Sequence, residues 1–335
     1  MKVAATFLQV SDLHIGHVLA DGNAPLPLFA PIHRIFDGQY GHSYDAVLQL
    51  EAFWRREAKR HGASLFVTGD LTAHGDPAHF NRADELLRGF WRTPTVLGLG
   101  VRDWVDRAIP GNHDHWPGPW ILGLPTAALQ TLFPSLPFDR SFQPKGCPRA
   151  IRVLGVDTDS MVSPFGADRL FARGRCTDQF DQLDQELDAA PGDAGNEVRV
   201  LLLHHSPSHE PWIGRLSSAS RARFVRFVRD HDIRVVLTGH THEPLANTLD
   251  DLGLPDVLEA CCGTTTQRTA LPPGMHAPFR QGHLATVNTL VWHELLEDDR
   301  GDLTWRSRVY PRHPVDGFRW AAMPDGSSRQ GSVAL

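Results

Sequence analysis

Five short clusters of Asp, Asn and His close apolar runs in this 335-residue chain. They read Asp12-Leu13-His14, Gly69-Asp70, Gly111-Asn112-His113-Asp114, His204-His205 and Gly239-His240-Thr241-His242. Carboxylate, amide oxygen and imidazole are ligands for divalent ions. The runs just before them, residues 7–10, 65–67, 108–109, 200–203 and 235–237, have the pattern of buried strands. In open α/β sheets, ligands collect at the carboxyl ends of strands. Asp12, His14, Asp70, Asn112, His204, His240 and His242 are then seven candidate ligands converging on one point. A single ion in such an N/O site takes about four to six. Two ions about 3.5–4 Å apart, sharing one carboxylate, use the set better. A lone Asp-x-His recurs by chance, whereas Gly-Asn-His-Asp and Gly-His-Thr-His are more specific. All five in this order define a two-metal pattern.

The series D-x-H, GD, GNHD, H, GHxH resembles the calcineurin-like metallophosphoesterase superfamily, over residues 5 to about 310. The nearest variety is the bacterial class III cyclic-nucleotide phosphodiesterase and glycerophosphodiesterase type. The resemblance implies a four-layer sandwich, two mixed β-sheets flanked by helices, with the dimetal site at strand C-terminal ends. It implies that Asp12, His14, Asp70 and His242 hold one ion. Asp70, Asn112, His204 and His240 hold the other, so Asp70 bridges. It makes His113 the catalytic histidine and Asp114 the carboxylate that orients it. The ions implied are Mn, Fe or Zn. One departure is visible: similar phosphodiesterases often continue His-His-Pro-Pro, where this chain reads His204-His205-Ser206-Pro207. That bears on the substrate-facing loop.

The chemistry expected is phosphoester hydrolysis by attack of a metal-bound hydroxide, on phosphodiesters such as cyclic nucleotides. Two divalent ions carry four positive charges, and Asp12, Asp70 and a bridging hydroxide remove three. About one positive charge is left for an anionic ester, and an amide at Asn112 preserves it. Divalent ions bring the pKa of bound water near 7, and His113 would protonate the leaving alkoxide. A phosphomonoesterase, nucleotidase or exonuclease on the same scaffold is the competing enzyme reading. A metal-bearing regulatory protein without turnover is the non-enzymatic one, against which His113 counts, since metal binding does not need it.

Composition agrees with a globular enzyme: 41% hydrophobic and 21% charged residues support a substantial core. A net charge of −6 argues against a nucleic-acid partner and leaves a small-molecule phosphoester. No apolar stretch approaches the ~18 residues needed to span a bilayer. The first strand begins by residue 5, leaving no room for a signal peptide, so the expected location is cytoplasmic. Cys147, Cys176, Cys261 and Cys262 have neither zinc-ribbon nor disulfide spacing, and Cys261-Cys262 read as small core residues on a strand.

The remaining elements must position the clusters. Helical periodicity marks residues 44–61, 77–90, 177–189 and 220–231, lying between the motif strands. Residues 151–156 read as a further strand, and 286–295 with 303–310 as a closing hairpin. The expectation is one catalytic domain over 1–310 and a C-terminal tail over 311–335, partly disordered or packing Phe318 and Trp320 onto the domain. Loops 17–43, 115–125 and 206–218 should hold substrate choice. Their aromatics, including Phe36, Tyr40, Trp116, Trp120 and Trp212, either stack on a base or aryl group or pin the loops. Arg173, Arg175 and Arg268 are phosphate-clamp candidates. His205 stands beside a ligand and invites a supporting role.

Overall fold

The computed structural model describes residues 1–16, 41–89, 97–118, 120–190, 192, 196–208, 214–267, 287–313, 315–321 and 329–335. Residues 17–40, Trp212 and Arg268 lie outside this set, as do the far ends of the helix expected to reach 90 and the strand expected from 286.

Two sheets face each other. The first holds β1 (Lys2–Val10), β2 (Ser64–Thr68), β3 (Ala108–Ile109), β10 (Thr289–Glu297), β11 (Leu303–His313), β12 (Gly317–Phe318) and β13 (Gln330–Ala334). Its order is β12-β11-β10-β1-β2-β3, with β13 also on β11. β1, β2 and β3 run parallel, and β10 joins β1 antiparallel. The second holds β4 (Phe138–Phe142), β5 (Ala150–Gly155), β6 (Glu197–Leu202), β7 (Val235–Thr238), β8 (Leu245–Leu249) and β9 (Leu254–Cys261), in the order β4-β5-β6-β7-β9-β8. There β5, β6, β7 and β9 are parallel, and the edges β4 and β8 are antiparallel.

The strands read as near-continuous apolar runs because both faces of each sheet are covered. Along β1, Phe7 points into the core between the sheets, while Leu8 and Val10 point outward under helices. Phe7 stacks between Phe66 and Trp305, with ring centroids at 5.4 and 4.8 Å. On the outer face of the first sheet lie α1 (Tyr44–Phe53) and α2 (Pro77–Arg88), contributing Val47, Leu50, Phe80 and Leu87. On the outer face of the second lie α5 (Thr177–Ala189) and α6 (Ser218–Asp230), contributing Phe180, Leu183, Phe224 and Phe227. The result is the expected helix–sheet–sheet–helix sandwich. The short α3 (Ala127–Leu132) and α4 (Ala167–Leu170) sit in connections. Helix starts follow local chemistry: Asp76 accepts a hydrogen bond from the Ala78 N–H at 2.8 Å, with Pro77 opening α2.

One expectation changes: the helix expected over 44–61 is α1 followed by a π-helical turn over Trp54–Ala58. The stretch expected as a tail over 311–335 adds strands to the first sheet. β11 runs through Pro311 to His313, and β13 returns to pair with it from Thr304 to Arg308. Phe318 is buried in the outer core, whereas Trp320 is 40% exposed. β10 pairs with β11 along one side only, which leaves an edge whose backbone groups need a partner, and β13 supplies one. No helix among the described residues is long and apolar enough to cross a membrane.

Candidate metal centre

All five clusters lie just beyond the C-terminal ends of β1, β2, β3, β6 and β7, along the seam between the sheets. The backbone there is unusual. Among the described residues, seven non-glycine positions have positive φ, and five are Asp12, His14, Asp70, His240 and His242. Left-handed backbone at such residues is unfavourable and persists where the surroundings over-determine it. Sharp turns at the strand ends aim successive side chains back at one point. The motif glycines allow close approach: a Cβ on Gly111 would overlap Asp70 Oδ1, and one on Gly239 would overlap the Ser11 hydroxyl.

Potential ligand atoms gather in overlapping groups: two contain the expected ligands, and a third joins His14, Asp70 and His113. Asp12, His14 and His242 form the first, with His242 Nε2 2.9 Å and His14 Nε2 3.6 Å from Asp12 Oδ1. Asp70, His204 and His240 form the second, with His204 Nε2 3.4 Å from Asp70 Oδ2. Asn112 belongs with the second: its Oδ1 is 3.1 Å from His204 Nε2 and 2.9 Å from His240 Nδ1. Asp70 faces both, since its Oδ2 is also 3.8 Å from His14 Nε2. His14 is fully buried, and neither ring nitrogen has a hydrogen-bond partner among the described residues. Buried imidazole nitrogens left this way are costly in a metal-free core. The set therefore fits two divalent ions in the groups the sequence suggests.

Electrostatics point the same way. Burial alone would raise the Asp12 and Asp70 carboxyls, but the surrounding histidines hold both well below the usual range, His242 dominating at Asp12 and His204 at Asp70. His204 feels the reciprocal effect: against the cost of burial, Asp70 and Asp12 push it up to about 10. Acidic ligands are ready to be anionic, and imidazoles are crowded around them.

Supporting contacts fix the ligands. Ser11 donates to Asp12 Oδ2 at 2.6 Å, and the Thr68 carbonyl engages His204 Nδ1 at 2.8 Å, leaving Nε2 for the centre. His205 is not among the gathered ligand atoms. It lies against His240 with ring centroids at 4.2 Å, and its Nδ1 is 2.7 Å from the Thr158 hydroxyl. Burial pushes its basicity well down, so it is a neutral spacer behind a ligand.

His113 sits at the edge. Its backbone N–H donates to Asp70 Oδ1 at 2.8 Å, and its ring Nδ1 is 2.8 Å from the Ala73 carbonyl. That contact assigns the proton to Nδ1 and the lone pair to Nε2. Burial, with His14 and His242 near, lowers His113 to about 3 despite Asp70. The expected ring-orienting contact from Asp114 is replaced. Asp114 accepts from the backbone N–H of Gly111, Leu71 and Thr72, at 2.9, 3.1 and 2.9 Å, and from the Thr72 hydroxyl at 2.8 Å. Burial and Asp70 raise it to about 6. Asp114 fixes the turn that carries Asn112 and His113, and the Ala73 carbonyl orients the ring. The sequence contains no sign of this, because a carbonyl partner is independent of residue type.

Other candidates separate clearly. Trp116 is buried and stacks on the His113 ring at 3.8 Å, so it pins the loop. Trp120 is 60% exposed. Arg173 and Arg175 both face Asp168, at 3.5 and 3.3 Å. Arg169, not singled out by sequence, is buried with Nη1 3.4 Å from the Asn112 carbonyl. The four cysteines are free and buried, and burial pushes the Cys262 thiol up to about 12.

A family model for the calcineurin-like phosphoesterases matches residues 5–244, and the chain belongs to that family. Membership makes it a metal-dependent phosphoester hydrolase by class. No curated protein matches it. Solved structures it is similar to include GAP50, "the anchor in the inner membrane complex of Plasmodium", at 13% identity and TM-score 0.47, covering 94% of this chain and 86% of that one. Another is the calcineurin-like phosphoesterase YfkN from Bacillus subtilis, at 11% identity and TM-score 0.41, covering 99% and 91%. A third is zinc-complexed Vps29 from Entamoeba histolytica, at 14% identity and TM-score 0.32, covering 98% of each. At such scores these likenesses carry no argument about activity, metal or partner.

Proposed function

We propose that this chain is a two-metal phosphodiesterase. Asp12, His14, Asp70 and His242 would hold one ion, and Asp70, Asn112, His204 and His240 the other. The observation that carries the reading is the grouping of these side chains around Asp70, with both nitrogens of buried His14 lacking a hydrogen-bond partner among the described residues. Bound divalent ions would supply Lewis-acid stabilisation of the phosphoryl oxygens and activation of water. The chain's own residues do the rest. Asp12 and Asp70 set the charge of the centre, and the neutral Asn112 amide keeps it suited to a monoanion. His113 Nε2, on a ring held by Ala73 and Trp116, stands where a proton can pass to the departing oxygen. An anionic ester there would raise the ring's proton affinity, opposing the effect of burial.

The diester preference rests on that charge and on the motif resemblance. The cyclic-nucleotide expectation rests on the resemblance alone, so the reading is drawn at the diester bond. Location in the cytoplasm and a small-molecule substrate, without a nucleic-acid or membrane partner, belong to the same reading. Manganese-supplemented protein should hydrolyse bis(p-nitrophenyl) phosphate with a higher kcat/KM than p-nitrophenyl phosphate. The reverse order would make the monoesterase the better description.

A further inference from the structure

Apolar side chains concentrate beside the metal centre in a way the motif residues do not account for. Of the twelve large hydrophobic side chains exposed among the described residues, six are Trp120, Leu122, Leu124, Phe165, Leu170 and Phe171. They occupy two short segments, 120–124 and 165–171. Leu124 and Phe165 are 71% and 70% exposed. Single exposed hydrophobes are ordinary on a protein surface, but a cluster of this kind marks a binding surface.

Both segments leave strand ends on the side that carries the ligands. The first follows β3 and the Asn112-His113 turn in one sheet, and the second follows β5 in the other. They meet where the Gly123 N–H donates to the Pro164 carbonyl at 3.2 Å. Each is tied to the wall of the metal centre. Trp116, four residues before Trp120, lies on the His113 ring, and Arg169, beside Leu170, reaches the Asn112 carbonyl. The Phe171 carbonyl accepts from Gly214 N–H at 3.1 Å, and a Cβ on Gly214 would stand 3.1 Å from His240 Nε2. The apolar surface begins where the catalytic wall ends. Residues 120–124 read Trp-Ile-Leu-Gly-Leu, with no charge. In the second segment Asp168 is engaged by Arg173 and Arg175, and Arg169 is turned inward. The rim therefore offers hydrocarbon contact and little hydrogen bonding.

We propose that this rim binds the apolar chain of an amphiphilic phosphodiester whose phosphate occupies the metal centre. The inference rests on the phosphodiesterase reading and narrows it. A molecule that fills both surfaces is anionic at one end and aliphatic at the other, which a polar nucleoside is not.

The test uses p-nitrophenyl methyl, butyl and octyl phosphodiesters, all below their critical micelle concentrations, with the manganese-loaded full chain. Adding methylenes to a partly open apolar surface should raise kcat/KM at least about tenfold from methyl to octyl. The double variant Leu124→Ser, Phe165→Ser changes two exposed positions. It should hydrolyse the methyl ester like wild type and lose the rise. Calorimetric binding of octyl against methyl phosphonate should show the same difference without turnover. Hydrolysis that is flat with chain length overturns the chain-binding inference and leaves the phosphodiesterase reading standing. So does a cyclic nucleotide that exceeds the octyl ester. Failure to hydrolyse any diester while cleaving a monoester sinks the phosphodiesterase reading itself. A rise seen only above the micelle threshold gives the rim to a lipid surface. Variant-sensitive dimerisation with a flat series gives it to a second copy, and either result overturns the proposal.

Discussion

The buried carboxylate of Glu259 accepts a hydrogen bond from the Thr238 hydroxyl at 2.8 Å, immediately before the Gly239-His240-Thr241-His242 turn. Its other oxygen accepts from Ser208, and Ser206 also hydrogen-bonds it. A strand that carries no metal ligand thus ties the loop after His204 to the strand that delivers His240 and His242. The departure from His-His-Pro-Pro acquires a physical role here, because Ser206 gives that loop a hydroxyl where a proline would give it stiffness.

Glu259→Leu would leave these hydroxyls buried without their acceptor. The expected loss is about 1–3 kcal/mol of stability, read by urea unfolding. Metal affinity should weaken more in the Asp70–His204–His240 group than in the Asp12–His14–His242 group. Glu259→Gln keeps an acceptor oxygen and should recover most of both. Wild-type stability and metal affinity in Glu259→Leu would show that the carboxylate holds nothing in place.

Among the described residues, Asp70 is the carboxylate placed against both histidine groups. Asp70→Ala should therefore lose metal from both sites and abolish hydrolysis, whereas Asp12→Ala should spare the second group. Elemental analysis of the purified variant decides the matter. Two tightly bound ions in Asp70→Ala are incompatible with a bridge.

How much of this is legible in the sequence depends on where the information lies. The ligands are readable because their chemistry resides in side chains, and the motif strands are readable because burial on both faces makes them continuous apolar runs. Edge strands are harder: Phe138–Phe142 and Leu245–Leu249 mix polar and apolar residues and carry no motif. β13 is hidden because it forms only once β11 offers an unpaired edge. The left-handed backbone at Asp12, His14, Asp70, His240 and His242 is invisible for another reason. Asp and His tolerate positive φ better than most residues, but few of them adopt it, and here it is imposed by the convergence itself. Asp114 is placed in the right turn by sequence and given the wrong partner, since its acceptors' donors are mostly backbone N–H groups.

Beneath the metal centre, His293 holds Gln9, which bridges the two sheets. Its Nε2 meets Gln9 Oε1 at 3.1 Å, and the Gln9 amide donates to the Thr238 carbonyl at 2.8 Å. Burial lowers His293 to about 3, against ~6.5 when unfolded. Between these values the unfolded chain binds the extra proton, so stability falls as pH drops below about 6.5. The slope approaches about 1.4 kcal/mol per pH unit and ends near pH 3. His293→Gln should flatten the fall between pH 6.5 and 4.5 relative to wild type, measured by urea midpoints. Parallel curves for the two proteins would mean that His293 takes up its proton without unfolding.

His113 offers the sharpest separation of chemistry from metal binding. Its backbone N–H donates to Asp70, and its ring Nδ1 is directed at the Ala73 carbonyl, although the ring also lies within ligand reach of Asp70 and His14. His113→Ala keeps the backbone contact and removes only the ring, so both ions should stay bound. If Nε2 serves the departing oxygen, the cost of losing it depends on that oxygen's basicity. An alkoxide needs a proton or strong stabilisation, while nitrophenolate leaves readily without either. General acid catalysis is typically worth about 10²–10⁴-fold. The variant should lose a factor in this range on dialkyl phosphodiesters and much less on nitrophenyl esters, with elemental analysis unchanged. Loss of an ion would make His113 a ligand. Equal loss on both leaving groups, with both ions present, would make it a phosphate-binding residue instead of a proton donor.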